Sequence, residues 1–265
     1  MTHWQKYHAA WSKLEAPLRP NADTLSKIRE LIGDISGPVL LLGVTPELAN
    51  SFDQVLGVDK NKAMIDHVWP GDTAAKKALH ADWLDLEGPK NHFAAVVGDG
   101  SLNAVTTLRE VRQLLQRVAA LLAPRGRFAC RLYERPEKPF TEDHLRQMGS
   151  RQATVNFHAF KWQIAMHLAE GGGASMPVVL IRERFNELFP DRDKLARDTG
   201  WSRDIIDMID IYRGSPAIYT FPSRREFLDV LPEGISNVRF EPCGSYDLAE
   251  CCPMLAFDKN QAAAI

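Results

Sequence analysis

From Pro38 onward, short apolar runs alternate with longer segments in which apolar residues recur every three or four positions. Four of the runs have the length of strands buried on both faces: 39–43, 55–59, 95–99 and 127–133. Helical spacing runs from Leu108 to Leu122, after a Thr107 and Glu110 pair that is typical of a capped helix start. Strands linked by helical crossovers predict a Rossmann-like, doubly wound, mostly parallel α/β sheet.

The alternation stops after Tyr133, and roughly 100 residues pass before the next strand-like runs, at 237–241 and 252–258. Such a separation is too long for a simple crossover, and its periodicity is mainly helical. We therefore predict four segments: an N-terminal helical lead-in (1–37), an α/β core (38–133), a helical insertion that serves as lid or substrate region (134–235), and two closing strands of the core (236–265).

Composition and charge exclude several classes of binding partner and several kinds of protein. The chain has 32 Lys and Arg against 34 Asp and Glu, a net charge of −2, which argues against a polybasic surface for nucleic acid or anionic membrane. No apolar run approaches the roughly 20 residues of a membrane span, and the N-terminus lacks a signal-peptide core. The four cysteines form no C-x-x-C pair, so neither a disulfide frame nor a metal site is expected. We expect a cytoplasmic protein.

Candidate ligand residues follow the strands, where open α/β sheets bind their ligands. A tight turn runs from Gly43 through Thr45 to Glu47, and Asp59 ends the second run, where its carboxylate can accept both hydroxyls of a ribose. Asp82 and Trp83 offer a carboxylate for an exocyclic amine and an aromatic face for a purine. The remaining candidates beside these strand ends are Lys60, Gly98, Asp99 and Gly100.

In this order, the residues resemble the class I S-adenosylmethionine-dependent methyltransferases. The resemblance covers about 39–133, includes the segment "LLAPRGRF" (121–128), and agrees with that family's final antiparallel hairpin at 237–258. It implies S-adenosyl-L-methionine as cofactor, with the turn at Gly43 against the methionine part and Asp59 on the ribose. It also implies that Asp82 and Trp83 frame the adenine and that Asp99 lies near the sulfonium.

The first turn departs from the family pattern. That turn usually carries an acidic residue and two or three glycines, whereas only Gly43 remains here, with Thr45 and Pro46 in the later places. The missing glycines argue more strongly against a nicotinamide oxidoreductase, since pyrophosphate binding requires G-x-G-x-x-G.

The function predicted is in-line methyl transfer to a small molecule beneath the helical lid. Arg19 of the lead-in is a candidate for a ligand carboxylate. Asp99 and His158 are candidate catalytic residues, and His158, Lys161 and Trp162 lie off the apolar face of their helix, where they could line a substrate pocket. The alternative is a regulatory or scaffold protein that binds S-adenosylmethionine without turnover. A homodimer is one possible assembly. Residues 194–209 have the spacing of a helix-turn-helix, but their acidic side chains argue against DNA binding.

Overall fold

A seven-stranded sheet forms the centre of the computed structural model, which describes residues 8–150, 155–171 and 173–261. Its strands, in chain order, are β1 (Val39–Leu42), β2 (Val55–Asp59), β3 (Lys76–His80), β4 (Phe93–Asp99), β5 (Leu122–Arg131), β8 (Ile235–Glu241) and β9 (Met254–Lys259). The short strands β6 (Ser175–Pro177) and β7 (Ile218–Thr220) pair separately.

Strand order in the large sheet is β3-β2-β1-β4-β5-β9-β8. Strands β1 to β5 are parallel, and β9 runs antiparallel to both β5 and β8. The order reverses at β1, because the chain builds outward through β2 and β3 before returning to β4 on the other side. The Rossmann-like, mostly parallel sheet with a closing antiparallel pair is confirmed.

Helices cover both faces of this sheet. In chain order they are α1 (Ala22–Ile32), α2 (Pro46–Ala49), α3 (Lys62–Val68), α4 (Leu108–Leu121), α5 (Glu142–Met148), α6 (Phe157–Glu170), α7 (Val179–Leu188), α8 (Arg192–Thr199), α9 (Arg203–Asp207) and α10 (Arg224–Asp229). The apolar stripe of α4 packs on one face and that of α1 on the other. None of the helices described combines the length and apolar character needed to cross a membrane.

The insertion forms a second apolar core around α6. The sequence placed His158, Lys161 and Trp162 off the apolar face of this helix, and the structure buries all three. Neighbouring elements cover every side of α6, which periodicity within one helix cannot reveal. Helix α10, which the sequence assigned to the insertion, instead adds Phe227 to the core beneath the sheet.

A segment of the lead-in, residues 11–20, crosses the carboxyl edge of the sheet, and we call it the strap. Its Pro17 carbonyl accepts hydrogen bonds from Arg131 Nη2 at 2.7 Å and Tyr133 Oη at 2.8 Å. The Ala16 carbonyl accepts another from Asn156 Nδ2 at 3.0 Å. These bonds tie the strap to both the sheet and the insertion. Residues 1–7 of the predicted lead-in lie outside the residues described.

Candidate functional site

A crevice that is partly open to solvent lies at the carboxyl ends of β1, β2 and β4. It therefore sits where the strand order reverses, as open α/β sheets place their ligands. Its floor includes six of the residues singled out in the sequence: Gly43, Thr45, Asp59, Lys60, Asp99 and Gly100. Its walls and roof carry Trp83 after β3, Trp11, Leu14 and Leu18 of the strap, and Trp162 and Tyr219 of the insertion.

Gly43 makes the turn at the end of β1 possible. Its φ of +114° lies in a region that side-chain-bearing residues rarely adopt, and its amide donates to the Val58 carbonyl at 2.8 Å. A Cβ at this position would meet no atom within 4 Å. The turn therefore leaves open space at the crevice. Thr45 follows as the residue before α2, and its side chain makes no capping bond there.

Asp59 ends β2 and lines the crevice. Its Oδ1 accepts the Asn61 amide at 2.8 Å. Among the described residues, no donor reaches Oδ2, so one carboxylate oxygen remains available to a ligand. Burial raises the pKa of Asp59 to about 6, although the Asn61 amide and the Lys60 and His80 charges act in the opposite direction. The carboxylate is therefore ionised at neutral pH but at some cost in desolvation.

Trp83 and Asp82 take different positions after β3. Trp83 Nε1 donates to the Val58 carbonyl at 2.5 Å, which fixes the indole beside the tip of β2 as part of the crevice lining. Asp82 lies outside the lining: its Oδ1 accepts the Leu84 amide at 3.0 Å, and its Oδ2 pairs with Lys60 at 3.3 Å. The structure thus brings Trp83, but not Asp82, into the crevice.

Asp99 forms a buried ion pair. Arg131 ends β5 directly opposite it, donating from Nε to Oδ1 at 2.5 Å and from Nη2 to Oδ2 at 2.9 Å. The two side chains are 4% and 0% exposed. Burial raises the pKa of Asp99 while the Arg131 guanidinium opposes that rise, and the Asp99 charge holds the pKa of Arg131 well above its usual value. Both oxygens of Asp99 are occupied by this partner.

The glycines on either side of Asp99 allow Ser101 and Tyr133 to pack closely against the backbone. A Cβ at Gly98 would lie 2.6 Å from Ser101 Oγ, which itself donates to the Leu42 carbonyl at 2.6 Å and joins the ends of β4 and β1. Gly100 has a φ of +66°, and a Cβ there would lie 2.6 Å from the Tyr133 ring. Gly98 is thus beneath the crevice lining, while Gly100 belongs to it.

Two candidates from the flanking segments do not line the crevice. Arg19 Nε donates to Glu47 Oε1 at 2.5 Å. His158 is buried with Nε2 facing the Lys13 carbonyl at 3.2 Å. Burial and the Lys161 charge lower the pKa of His158 to about 3, so this imidazole is neutral at physiological pH. The geometry gives His158 a structural position beneath the strap and does not support a catalytic one.

Sequence reasoning missed several residues that shape the site. Arg131 lies inside an apolar strand run, and a basic residue in such a run is a signal for a buried partner. Tyr133 and Tyr219 line the crevice, and no local spacing pattern pointed to them. Across the described residues, no three His, Cys, Asp or Glu side chains are grouped as metal ligands would be.

Comparison with known proteins gives a partial match in sequence and a full-length match in fold. Residues 43–130, about a third of the chain, match the family model described as a methyltransferase domain. No curated protein matches significantly. The fold is similar to an S-adenosylmethionine dependent methyltransferase from Mesorhizobium loti, with 12% identity, 90% of this chain and 99% of that chain covered, and a TM-score of 0.51.

Two further solved structures have comparable likeness. A Rhodobacter sphaeroides protein named a Zn-dependent alcohol dehydrogenase shares 16% identity over 99% of both chains, with a TM-score of 0.53. The N-methyltransferase NodS from Bradyrhizobium japonicum, bound to S-adenosyl-L-homocysteine, shares 12% identity over 97% of this chain and 98% of its own, with a TM-score of 0.48. At such identities, structural likeness establishes the fold alone.

The residues that match the family model include those that form the crevice. The matched residues include the turn after β1, the tip of β2 and the end of β4, which together form the crevice floor. Residues 43–130 are therefore similar to a methyltransferase domain, and the sheet around them has the strand arrangement that the resemblance to class I S-adenosylmethionine-dependent methyltransferases implied.

Proposed function

We propose that this chain transfers a methyl group from S-adenosylmethionine to a small molecule held in the crevice. The observation that carries the proposal is the placement of Asp59, Trp83 and the open turn at Gly43 around one crevice. Strands β1 and β2 are neighbours in the sheet, so a sugar-binding carboxylate and an open turn lie side by side. This arrangement suits a nucleoside joined to an amino acid.

The residues present fit this cofactor. Gly43 leaves open space for the methionine part, the free Oδ2 of Asp59 can accept a ribose hydroxyl, and the Trp83 ring offers a face to the adenine. Lys60 and Asp82 form an ion pair at the nucleoside end, and Gly100 lines the crevice just after β4, beside the space proposed for the sulfur. When bound, the cofactor supplies an activated methyl group on its sulfonium.

A small acceptor suits the aromatic end of the crevice. Tyr133, Trp162 and Tyr219 line one end, with Tyr133 and Tyr219 each in edge contact with Trp162 at ring distances of 5.2 and 5.5 Å. The strap covers the same space. These apolar surfaces exclude water and hold the acceptor in line with the methyl group, which is the main demand of methyl transfer.

Asp99 is assigned a positioning part in this proposal. Its two oxygens hold Arg131, which in turn holds the strap through the Pro17 carbonyl. We assign no general base. An acceptor that is nucleophilic at neutral pH, or that loses its proton to water, needs none.

Calorimetry with S-adenosylmethionine and S-adenosylhomocysteine tests the proposal, followed by transfer of a labelled methyl group to a panel of small acceptors. Binding of both ligands and labelling of at least one acceptor are expected. Binding without transfer across the panel would favour the regulatory or scaffold alternative. Absence of binding, together with quenching or enhancement of NADH fluorescence on mixing, would favour an oxidoreductase.

A further inference from the structure

Three aromatic rings meet at the end of the crevice that lies towards β5. Tyr133 and Tyr219 are each in edge contact with Trp162, at ring-centroid distances of 5.2 and 5.5 Å and interplanar angles of 61° and 82°. All three side chains line the crevice. Their rings therefore form walls that stand at steep angles to one another. We call these three residues the aromatic box.

The aromatic box lies at the opposite end of the crevice from the residues proposed to hold the nucleoside. Tyr133 follows β5 by two residues, whereas Asp59 ends β2, and strands β1 and β4 lie between these two strands. At about 4.8 Å from strand to strand, roughly 14 Å separates β2 from β5. With a ribose at Asp59, the aromatic box is left for the methyl acceptor.

Packing and hydrogen bonds hold the aromatic box in place. Phe221 packs edge-on against Trp162 at a ring distance of 5.4 Å and is not part of the crevice lining. Tyr133 Oη donates to the Pro17 carbonyl at 2.8 Å. Rings that are already fixed lose little conformational freedom when a ligand binds between them. The aromatic box is therefore suited to select its ligand.

The polar side chains beside the aromatic box are already paired. Asp99 holds Arg131 with both carboxylate oxygens. Asn103 uses its amide group on backbone atoms after β5 and in β7. Ser101 Oγ donates to the carbonyl of the last residue of β1 at 2.6 Å. This end of the crevice thus offers a ligand mainly the faces of aromatic rings.

The charges near the aromatic box disfavour an anionic acceptor. Within the part of the chain that the structure describes, Lys60 is the only lysine or arginine that lines the crevice, and it pairs with Asp82. Arg131 lies 5.8 Å from the centre of the Tyr133 ring, but Asp99 balances its charge. A carboxylate, phosphate or thiolate would therefore be buried here without a counter-charge, which is costly.

A neutral acceptor that must lose a proton before it reacts is disfavoured too. An alcohol or phenol needs a base, and the carboxylates that line the crevice in the described chain are Asp59 and Asp99. Asp59 is at the nucleoside end, and both oxygens of Asp99 are committed to Arg131. The neutral fraction of an amine has a lone pair ready to react and requires no base.

Methyl transfer to an amine also creates a charge that aromatic rings attract. As the bond from nitrogen to the methyl carbon forms, the bond from that carbon to sulfur breaks, and its electron pair stays on sulfur. The positive charge passes to the nitrogen, which then releases a proton to water or, when no proton remains on it, keeps the charge. Aromatic faces stabilise such cations, and most strongly where water is excluded.

We propose that the methyl acceptor is an amine and that the aromatic box takes up the positive charge that develops on its nitrogen. This inference rests on the proposed function, because methyl transfer is what moves the charge there. Trp162 is the central wall, since it contacts both tyrosines and indole attracts cations more strongly than phenol does. Tyr133 and Tyr219 supply the adjoining walls.

A methyl-transfer panel tests the acceptor class. Labelled S-adenosylmethionine is supplied with amines, phenols, thiols and carboxylic acids that share matched carbon skeletons. We expect label to pass to amines at least about 10-fold faster than to the other classes. Transfer to phenols, thiols or carboxylic acids without transfer to amines would overturn the inference and leave the proposed function standing. Transfer to none of the classes would reject the proposed function, and the inference with it.

Binding of a small cation tests the aromatic box without turnover. With S-adenosylhomocysteine present and ionic strength constant, tetramethylammonium should bind at least about 5-fold more tightly than tert-butanol, a neutral molecule of similar size. Tyr219→Leu should remove most of this preference, and Tyr219→Phe should keep it. Phe221→Leu is the matched control, because it removes a ring that contacts Trp162 from outside the crevice lining. Saturation-transfer NMR measures both affinities.

Two results of this binding experiment would contradict the inference. One is equal binding of the two probes by wild-type protein, which is decisive whether or not the Tyr219 variants fold. The other is an unchanged preference in a Tyr219→Leu protein that still binds S-adenosylhomocysteine with wild-type affinity, since that affinity shows that the crevice is intact.

Discussion

Asp59, the proposed ribose-binding residue, lies at a position where burial makes its negative charge unfavourable. Burial raises its pKa to about 6 from an ordinary value of 3.8. The folded protein therefore holds this proton more tightly than the unfolded chain does. The ionised carboxylate lowers folding stability above about pH 6, and the loss fades as the pH falls towards 4. Ionisable groups whose pKa is shifted by burial are common at functional sites, which agrees with the proposed role of Asp59.

Asp59→Asn should accordingly make the protein more stable and less able to bind its cofactor. At pH 7.5 we expect a gain of on the order of 1–3 kcal/mol in unfolding free energy, which disappears at pH 4. S-adenosylhomocysteine affinity should fall about 10-fold or more, because an asparagine side chain has a single oxygen, which the Asn61 amide already engages, and no charge to strengthen a bond from a ribose hydroxyl. Urea unfolding at both pH values and calorimetry measure the two effects.

The exposed Asp53 provides the control for this substitution. Asp53→Asn should change neither stability nor affinity. Wild-type affinity should itself decrease as the pH falls below 6, in step with protonation of Asp59. Undiminished binding by Asp59→Asn would remove this residue from the cofactor site.

The ion pair of Asp99 with Arg131 predicts a structural cost for losing either partner. Asp99→Asn leaves a fully buried guanidinium without its counter-charge, so we expect a loss of about 3–5 kcal/mol in unfolding free energy. The double variant Asp99→Leu with Arg131→Met should lose less than the sum of the single variants Asp99→Leu and Arg131→Met, since it leaves no unpaired charge. Urea unfolding of wild type, Asp99→Leu, Arg131→Met and the double variant measures this coupling. A fully stable Asp99→Asn protein with impaired turnover would instead favour a catalytic part for Asp99.

At the level of elements, the strap is held mainly through its carbonyl oxygens. Tyr133→Phe removes the bond from Tyr133 Oη to the Pro17 carbonyl but retains the ring against Trp162. We expect hydrogen exchange in residues 11–20 to rise about 5-fold, which corresponds to roughly 1 kcal/mol for one hydrogen bond. Exchange in α4, which packs in a different apolar core from the strap, should not change. Equal exchange of the strap in both proteins would show that Arg131 alone anchors Pro17.

Whether a strand or helix could be predicted from the sequence depended on how many of its faces are packed against other parts of the protein. The buried strands β1, β2, β4 and β5 were predicted because parallel strands covered on both faces must be continuously apolar. The short edge strand β3 contains Lys76, Lys77 and His80 and shows no such run. The sequence of helix α6 suggested a single apolar face, with His158 on the opposite, exposed face. In the structure the strap covers that opposite face, and its Lys13 carbonyl hydrogen-bonds with His158 Nε2.

Part of the candidate site could also be predicted, because it is built on the predicted parallel strands. Residues that follow strands lie at one edge of a parallel sheet, so Gly43, Asp59, Trp83 and Asp99 could be brought together from sequence order alone. Asp82 also follows a strand, but its carboxylate pairs with Lys60 and does not line the crevice. Tyr219 and the strap also line the crevice, but they belong to segments that are distant in sequence from the strand ends. The order of the strands does not specify that these segments fold back over the sheet, so their positions could not be predicted.

Across the whole molecule, the crevice connects the sheet, the strap and the insertion. Asn103 links two of these parts: its Nδ2 donates to the carbonyls of Tyr133 and Thr220 at 2.7 Å each, and its Oδ1 accepts the Tyr133 amide. Strand β7 is thereby joined to the end of β5 through side-chain bonds inside the molecule. A ligand in the crevice touches all three parts and should stabilise them together.

Binding of S-adenosylhomocysteine should therefore raise the unfolding temperature of the entire chain in one transition. At a ligand concentration 100 times its dissociation constant, we expect about 2.7 kcal/mol of added stability, or roughly 5–10 °C for a chain of this size. Calorimetric unfolding measures the shift and shows whether the insertion unfolds with the sheet. NADH should produce no comparable shift, and Asp59→Asn should reduce the shift from S-adenosylhomocysteine. An insertion that unfolds separately, at a temperature the ligand does not change, would mean that it does not close over the cofactor and that the acceptor pocket must be sought elsewhere on the sheet edge.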